Sequence, residues 1–144
     1  FTPTRMGTMA VTDITRYFWD KTQAEMKSLC SQTGGLSSYF GTSNSDAIHK
    51  KVEEGDRKAT RVWNAMIYQV AKSIGAAAVA LFGKIDAILL TGGIAHSEYV
   101  ISRLKERVSF LAPVYVYPGE DELEALAVNV LGALRGELPI QVYK

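Results

Sequence analysis

The amino-acid sequence predicts an α/β domain with parallel strands. Three observations carry this. From residue 57 onward the order reads helix, strand, helix, strand, helix, the pattern of a parallel sheet with right-handed crossovers. The apolar spacing changes from threes and fours over residues 57–82 to short runs at 85–90 and 113–117. Each run ends in a glycine-containing turn, Thr91-Gly92-Gly93 and Pro118-Gly119.

The elements follow in order. Residues 1–11 carry Pro3 and Gly7 and read as an irregular loop. Thr12 is placed to cap a helix over residues 13–32, with Ile14, Phe18, Met26 and Leu29 on one side. Gly34-Gly35 ends it, and the Ser- and Gly-rich residues 36–45 read as a loop. A short helix over 46–54 stops at Gly55, and Asp56 caps a long helix over 57–82. The stripe of that helix is Ala59, Val62, Trp63, Met66, Val70, Ile74, Ala77 and Leu81. The small residues 76–80 suit close packing, within the domain or across a dimer. A buried strand at 85–90, a helix over 97–107, a strand at 113–117 with Val114 and Val116 alternating against Tyr115 and Tyr117, and a helix over 120–134 complete the chain.

Composition bounds the function. The chain has 144 residues, 47% hydrophobic and 22% charged, which suits one globular domain, residues 1–144. With 16 basic and 15 acidic residues, nothing in the charge points to nucleic acid or an anionic membrane as partner. No apolar run approaches the roughly 18 residues of a membrane span. Cys30 alone cannot form an internal disulfide and reads as a small buried hydrophobe; the missing disulfides fit a cytoplasmic location. The chain begins at Phe1 without a Met and reads as a fragment, a processed product or a cloned domain.

Two stretches carry chemistry. In ILLTGGIAHS, residues 88–97, a strand delivers the chain to two glycines and Ser97 can cap the next helix. Ligands in open α/β sheets bind beyond the carboxyl ends of strands, glycines let a nucleotide approach the backbone, and a helix start adds N–H groups and partial positive charge. The same residues also make a plain turn, and neither the Walker nor the G-x-G-x-x-G pattern is present. In PGEDELE, residues 118–124, Glu120, Asp121 and Glu122 fall in the first turn of the last helix. The macrodipole stabilises acids there by about 0.3–1 kcal/mol each. A carboxylate facing the site would instead hold Mg²⁺ through water, as hard oxygen ligands do. His96 borders the glycine turn, but a lone histidine is a poor metal candidate. His49 reads as solvated among charged neighbours, and Trp19 and Trp63 as core or interface.

These stretches occur together with GDRKA, AMIYQVAKSIGA and the opening FTPTRMG, in an order that resembles the butyrate kinases of the acetokinase family. The resemblance covers essentially the whole chain. Acetate kinases usually read TGGIGEN where this chain has TGGIAHS, and carry a longer, Arg-containing loop where this chain has Met6-Gly7-Thr8-Met9.

The resemblance implies an actin-like (ribonuclease H-like) nucleotide-binding domain, a mixed sheet flanked by helices, forming the second, C-terminal domain of a two-domain kinase. It implies ATP/ADP and Mg²⁺, a short-chain carboxylate as the acid, an N-terminal domain absent from this chain, and a homodimer or higher homo-oligomer. Gly92, Gly93 and Ile94 match positions that pack against the adenosine and its phosphates, and Ser97 stands where acetate kinases have Asn. Gly41, Thr42, Ser43 and Asn44, with Asp46, match the adenine and ribose region. Glu122 matches the glutamate that supports Mg²⁺. Arg5, the one arginine of the N-terminal loop, is set against an arginine that holds the transferring phosphoryl group, or is a plain surface residue. The alternatives are a kinase for acetate, propionate or isobutyrate, and a non-catalytic nucleotide-binding or dimerisation module.

Overall fold

The computed structural model describes residues 1–119 and 122–140, the side chain of Glu122 excepted. The helices are α1 (Val11–Tyr17), α2 (Gln23–Ser31), α3 (Leu36–Phe40), α4 (Ser45–Glu53), α5 (Arg57–Ala80), α6 (Glu98–Val108) and α7 (Glu122–Leu134). The strands are β1 (Ile88–Gly92) and β2 (Val114–Pro118), and a 3-10 turn, Gly93–His96, joins β1 to α6.

The strands pair in parallel from Ile88 opposite Val114 to Gly92 opposite Pro118. Parallel pairing needs a crossover, and the 3-10 turn with α6 supplies it. Val114 and Val116 are more buried than Tyr115 and Tyr117, as the alternation predicts. Among the described residues the sheet is two-stranded and parallel rather than the mixed sheet the resemblance implies. Its one antiparallel pairing is a bridge between Gly92 and Gly119, where the chain turns back after β2. A mixed sheet needs further strands beyond these two.

Helix α5 is the central support. Asp56 caps it, its carboxylate accepting from the N–H groups of Lys58 (2.8 Å) and Ala59 (3.0 Å). Ala59, Val62, Trp63, Met66, Ile67 and Ala71 are buried along its first two thirds, where α4 and α6 pack against it. Beyond Ala71 only Ala78 is buried, and Ala77 and Leu81 of the predicted stripe are exposed. Leu36, Ile48, Ile88, Val100, Leu104 and Val108 complete the core.

The first helix differs most from expectation. It is two helices, because residues 22–25 (Thr-Gln-Ala-Glu) form a capping box that starts a new one. The Thr22 hydroxyl accepts from the Glu25 N–H, and the Glu25 carboxylate accepts from the Thr22 N–H at 2.7 Å. Thr12 lies inside α1, whose cap position is Ala10 with no side-chain hydrogen bond. Cys30 is exposed rather than buried, since α2 has no buried residue. Trp19, in the break between α1 and α2, is 83% exposed and no part of the core.

Residues 36–40, expected as loop, form α3 with Leu36 fully buried. The N-terminal loop lies directly on this turn. Gly34 N–H donates to Thr4 O, Leu36 N–H to Thr2 O, Ser37 N–H to Pro3 O, and Met6 N–H to Leu29 O. Gly35 holds φ 62° and ψ −136°, a conformation for glycine, and a Cβ there would stand 1.8 Å from Thr2 O. The glycine pair therefore does more than end a helix. It admits the backbone of residues 2–5.

Candidate functional site

The glycine turn forms where β1 ends. Gly92 has φ 87° and ψ 175°, a region open essentially to glycine alone. A Cβ there would meet nothing within 4 Å, so backbone geometry and not crowding requires the residue. Gly92 N–H donates to Gly119 O at 3.1 Å, and Gly119 N–H donates back to Gly92 O at 3.3 Å. These bonds join the two stretches singled out in the sequence, because Gly119 directly precedes the acidic segment. Glu120 and Asp121 lie outside the described residues, as does the side chain of Glu122, whose backbone opens α7.

Ser97 caps α6: its hydroxyl oxygen accepts from Val100 N–H at 3.4 Å, and its own N–H donates to Ile94 O. Accepting uses only a lone pair, so the hydroxyl keeps a rotatable hydrogen that a ligand acceptor can take.

Beside this turn runs a cleft of about 1310 Å³. Gly92, Gly93, Ile94, His96 and Ser97 line one side, and Ser45, Asp46, His49 and Glu53 of α4 line another. Four of the predicted positions, Gly92, Gly93, Ile94 and Ser97, are thus brought to one cavity, and Asp46 joins them. Gly41, Thr42, Ser43 and Asn44 do not line it. They set the start of α4 instead: Gly41 ends α3 in the left-handed conformation, Thr42 Oγ1 accepts from Asn44 N–H, and Asn44 Oδ1 accepts from Ala47 N–H at 3.0 Å. Arg5 is exposed and does not line the cleft, although Pro3 does.

The electrostatics are one-sided. Asp46, Glu53 and Glu98 line the cleft, and among the described residues no lysine or arginine does. A phosphate chain bound here needs its countercharge from a metal ion or from residues other than the lining ones. Among the described residues no three His, Cys, Asp or Glu side chains converge as a metal cage. A nucleotide-borne Mg²⁺ asks for less, one or two carboxylates with water and phosphate oxygens completing the shell. Glu98, next to Ser97 at the glycine-turn end of the cleft, fits that requirement.

Sequence reasoning missed His49. It is half-buried rather than solvated, stacked on Trp63 with centroids 5.9 Å apart and planes at 22°, and it lines the cleft. The neighbours Lys50 and Lys51 suggested a solvated face; they are exposed, and neither lines the cleft. The usable signal was the i, i+3 spacing of Asp46 and His49, which puts both on one helix face.

The acetokinase family profile matches residues 4–114. The chain belongs to the acetokinase family. Two curated relatives are each named a probable butyrate kinase. The one from Bacteroides thetaiotaomicron is 56% identical over 146 aligned positions, and the one from Phocaeicola vulgatus 44% over 146. Each alignment covers all of this chain and 41% of the relative, so the chain spans well under half the length of the family members it matches. Among the described residues no helix is long and apolar enough to cross a membrane.

Proposed function

We propose that this chain is the C-terminal, nucleotide-binding half of a cytoplasmic carboxylate kinase that transfers the γ-phosphoryl group of ATP to butyrate. The observation that carries the reading is the cleft. In a chain of the acetokinase family, it joins the glycine turn after β1 to the first turns of α4. The relatives' name, probable butyrate kinase, supports butyrate as the acid.

A butyrate carboxylate oxygen attacks the γ-phosphorus in line, the bond to the β–γ bridging oxygen breaks, and butyryl phosphate and ADP result. Such a transfer asks the protein mainly for positioning and charge stabilisation. Gly92, Gly93 and Ile94 pack against the adenosine and its phosphates, and the Ser97 hydroxyl donates to a ligand oxygen or nitrogen. Gly41, Thr42, Ser43 and Asn44 serve the adenine and ribose side through the helix they start. Glu122 stands on the metal side, where Mg²⁺ would neutralise charge on the phosphate oxygens. Arg5 approaches the transferring phosphoryl group once the N-terminal domain, which supplies the acid pocket, is in place. The exposed Val79, Leu81 and Phe82 at the end of α5, beside the small residues 76–80, support self-association through this half.

Calorimetry with Mg-ADP on the intact protein and on its Gly93→Asp variant tests the site. A carboxylate at the turn should abolish measurable binding, and matching titrations would remove the turn from the nucleotide site. The isolated 144-residue chain should bind ATP weakly and form no butyryl phosphate in a coupled assay.

A further inference from the structure

The cleft is not chemically uniform. Its glycine-turn side offers backbone, Ile94, His96, the Ser97 hydroxyl and one carboxylate, Glu98, whereas its α4 side sets His49 between two carboxylates, Asp46 and Glu53. His49 is the centre of the aromatic part. Its imidazole stacks on Trp63 and meets the Tyr99 ring at 5.9 Å between centroids, tilted by 53°. Both supports are fixed. Trp63 is 1% exposed, and Tyr99 donates its hydroxyl to Asn64 Oδ1 at 2.9 Å while the Arg103 guanidinium lies 5.7 Å from its ring centre. His49 is thereby held in one orientation with part of its surface open to the cleft.

Charge decides which part of a nucleotide can lie there. Asp46 and Glu53 flank His49 one turn before and one turn after on α4, and no lysine or arginine among the described residues lines the cavity. A triphosphate would be repelled by this wall. A neutral heteroaromatic ring would not: its face packs on imidazole, and its amino hydrogens find carboxylate acceptors on both sides.

We infer that His49 is the base-packing residue of the site, positioned by Trp63 and Tyr99, and that the α4 wall selects a neutral, amino-bearing nucleobase. This rests on the nucleotide reading above and adds the orientation of the ligand and a specificity-determining residue. The phosphates then run toward the glycine turn, away from Asp46 and Glu53.

Isothermal titration of adenosine, ADP and inorganic tripolyphosphate into the intact protein separates the two ideas. His49→Ala should weaken adenosine and ADP alike by about fivefold or more, the usual loss on removing a stacking side chain, and leave tripolyphosphate unchanged. His49→Phe should hold both within roughly threefold of wild type because it keeps a ring, and His49→Gln should behave as the alanine variant. The phenylalanine and glutamine pair decides the matter if His49→Ala fails to fold. Unchanged adenosine affinity in His49→Ala or His49→Gln, or an equal loss for tripolyphosphate, overturns the inference. If Gly93→Asp leaves ADP and tripolyphosphate untouched while His49→Ala still weakens adenosine, the phosphate side of the nucleotide reading fails and the role of His49 stands.

Discussion

Replacing Gly35 by alanine should unseat the N-terminal loop. The added Cβ would sit 1.8 Å from Thr2 O and 2.7 Å from Arg5 O, both backbone atoms that no side-chain rotation can clear. The residue must also hold φ 62° and ψ −136°, which costs a non-glycine residue about 1–3 kcal/mol. Relief requires residues 2–5 to lift off. That breaks the bonds of Gly34, Leu36 and Ser37 N–H to Thr4, Thr2 and Pro3, and the Ser37 hydroxyl bond to Pro3 O, each worth about 0.5–1.5 kcal/mol. Leu36, fully buried beneath the loop, then meets water. The lower ends of these ranges already add to about 3 kcal/mol, a large loss for a single substitution. Thermal unfolding of the intact protein should show a clearly lower melting temperature, by several degrees. Hydrogen exchange should show faster exchange at the Gly34, Leu36 and Ser37 amides. An unchanged melting temperature together with unchanged protection at those three amides would refute the argument that Gly35 exists to admit the loop.

Trp63 is buried with its indole N–H lacking a partner among the described residues, so Trp63→Phe removes an unsatisfied donor along with some volume. Denaturant unfolding should show a loss of less than about 1.5 kcal/mol for Trp63→Phe against about 3–5 for Trp63→Ala, and equal losses would sink the reasoning. The Asp56 carboxyl is held below its usual range, first by the Ala59 N–H and then by the Lys58 N–H and the charges of Lys51 and Lys58. A lowered folded-state pKa gives stability that is present above the ordinary value of 3.8 and lost as pH falls through the folded value. The stability gap between wild type and Asp56→Asn should therefore close as pH drops below 3.8, and a gap constant from neutral pH into that range would contradict it.

The parts of this molecule legible in the sequence are those where the local signal and the tertiary outcome share a cause. Asp56 caps α5 because a carboxylate before a helix meets free N–H groups wherever the helix packs, and Val114 and Val116 turn inward because a strand alternates. Other features depend on distant chain. Leu36 is buried in α3 because the backbone of residues 2–5 lies over it, and nothing in its Ser-rich surroundings announces that. The box at residues 22–25 was readable, but an amphipathic pattern running through it suggested one helix. His49 needed Trp63, fourteen positions on, to pull it into the cleft. The candidate site itself combines both kinds of cause. Each glycine turn was visible alone; what brings them together is the register of β1 on β2. With Gly92 level with Pro118, both strands end on one edge, and Gly119 can close onto Gly92 through two hydrogen bonds. A register shifted by one residue would reverse the pleat and part the two turns. The parallel pairing of ten residues is thus what converts two unremarkable turns into one side of a cavity.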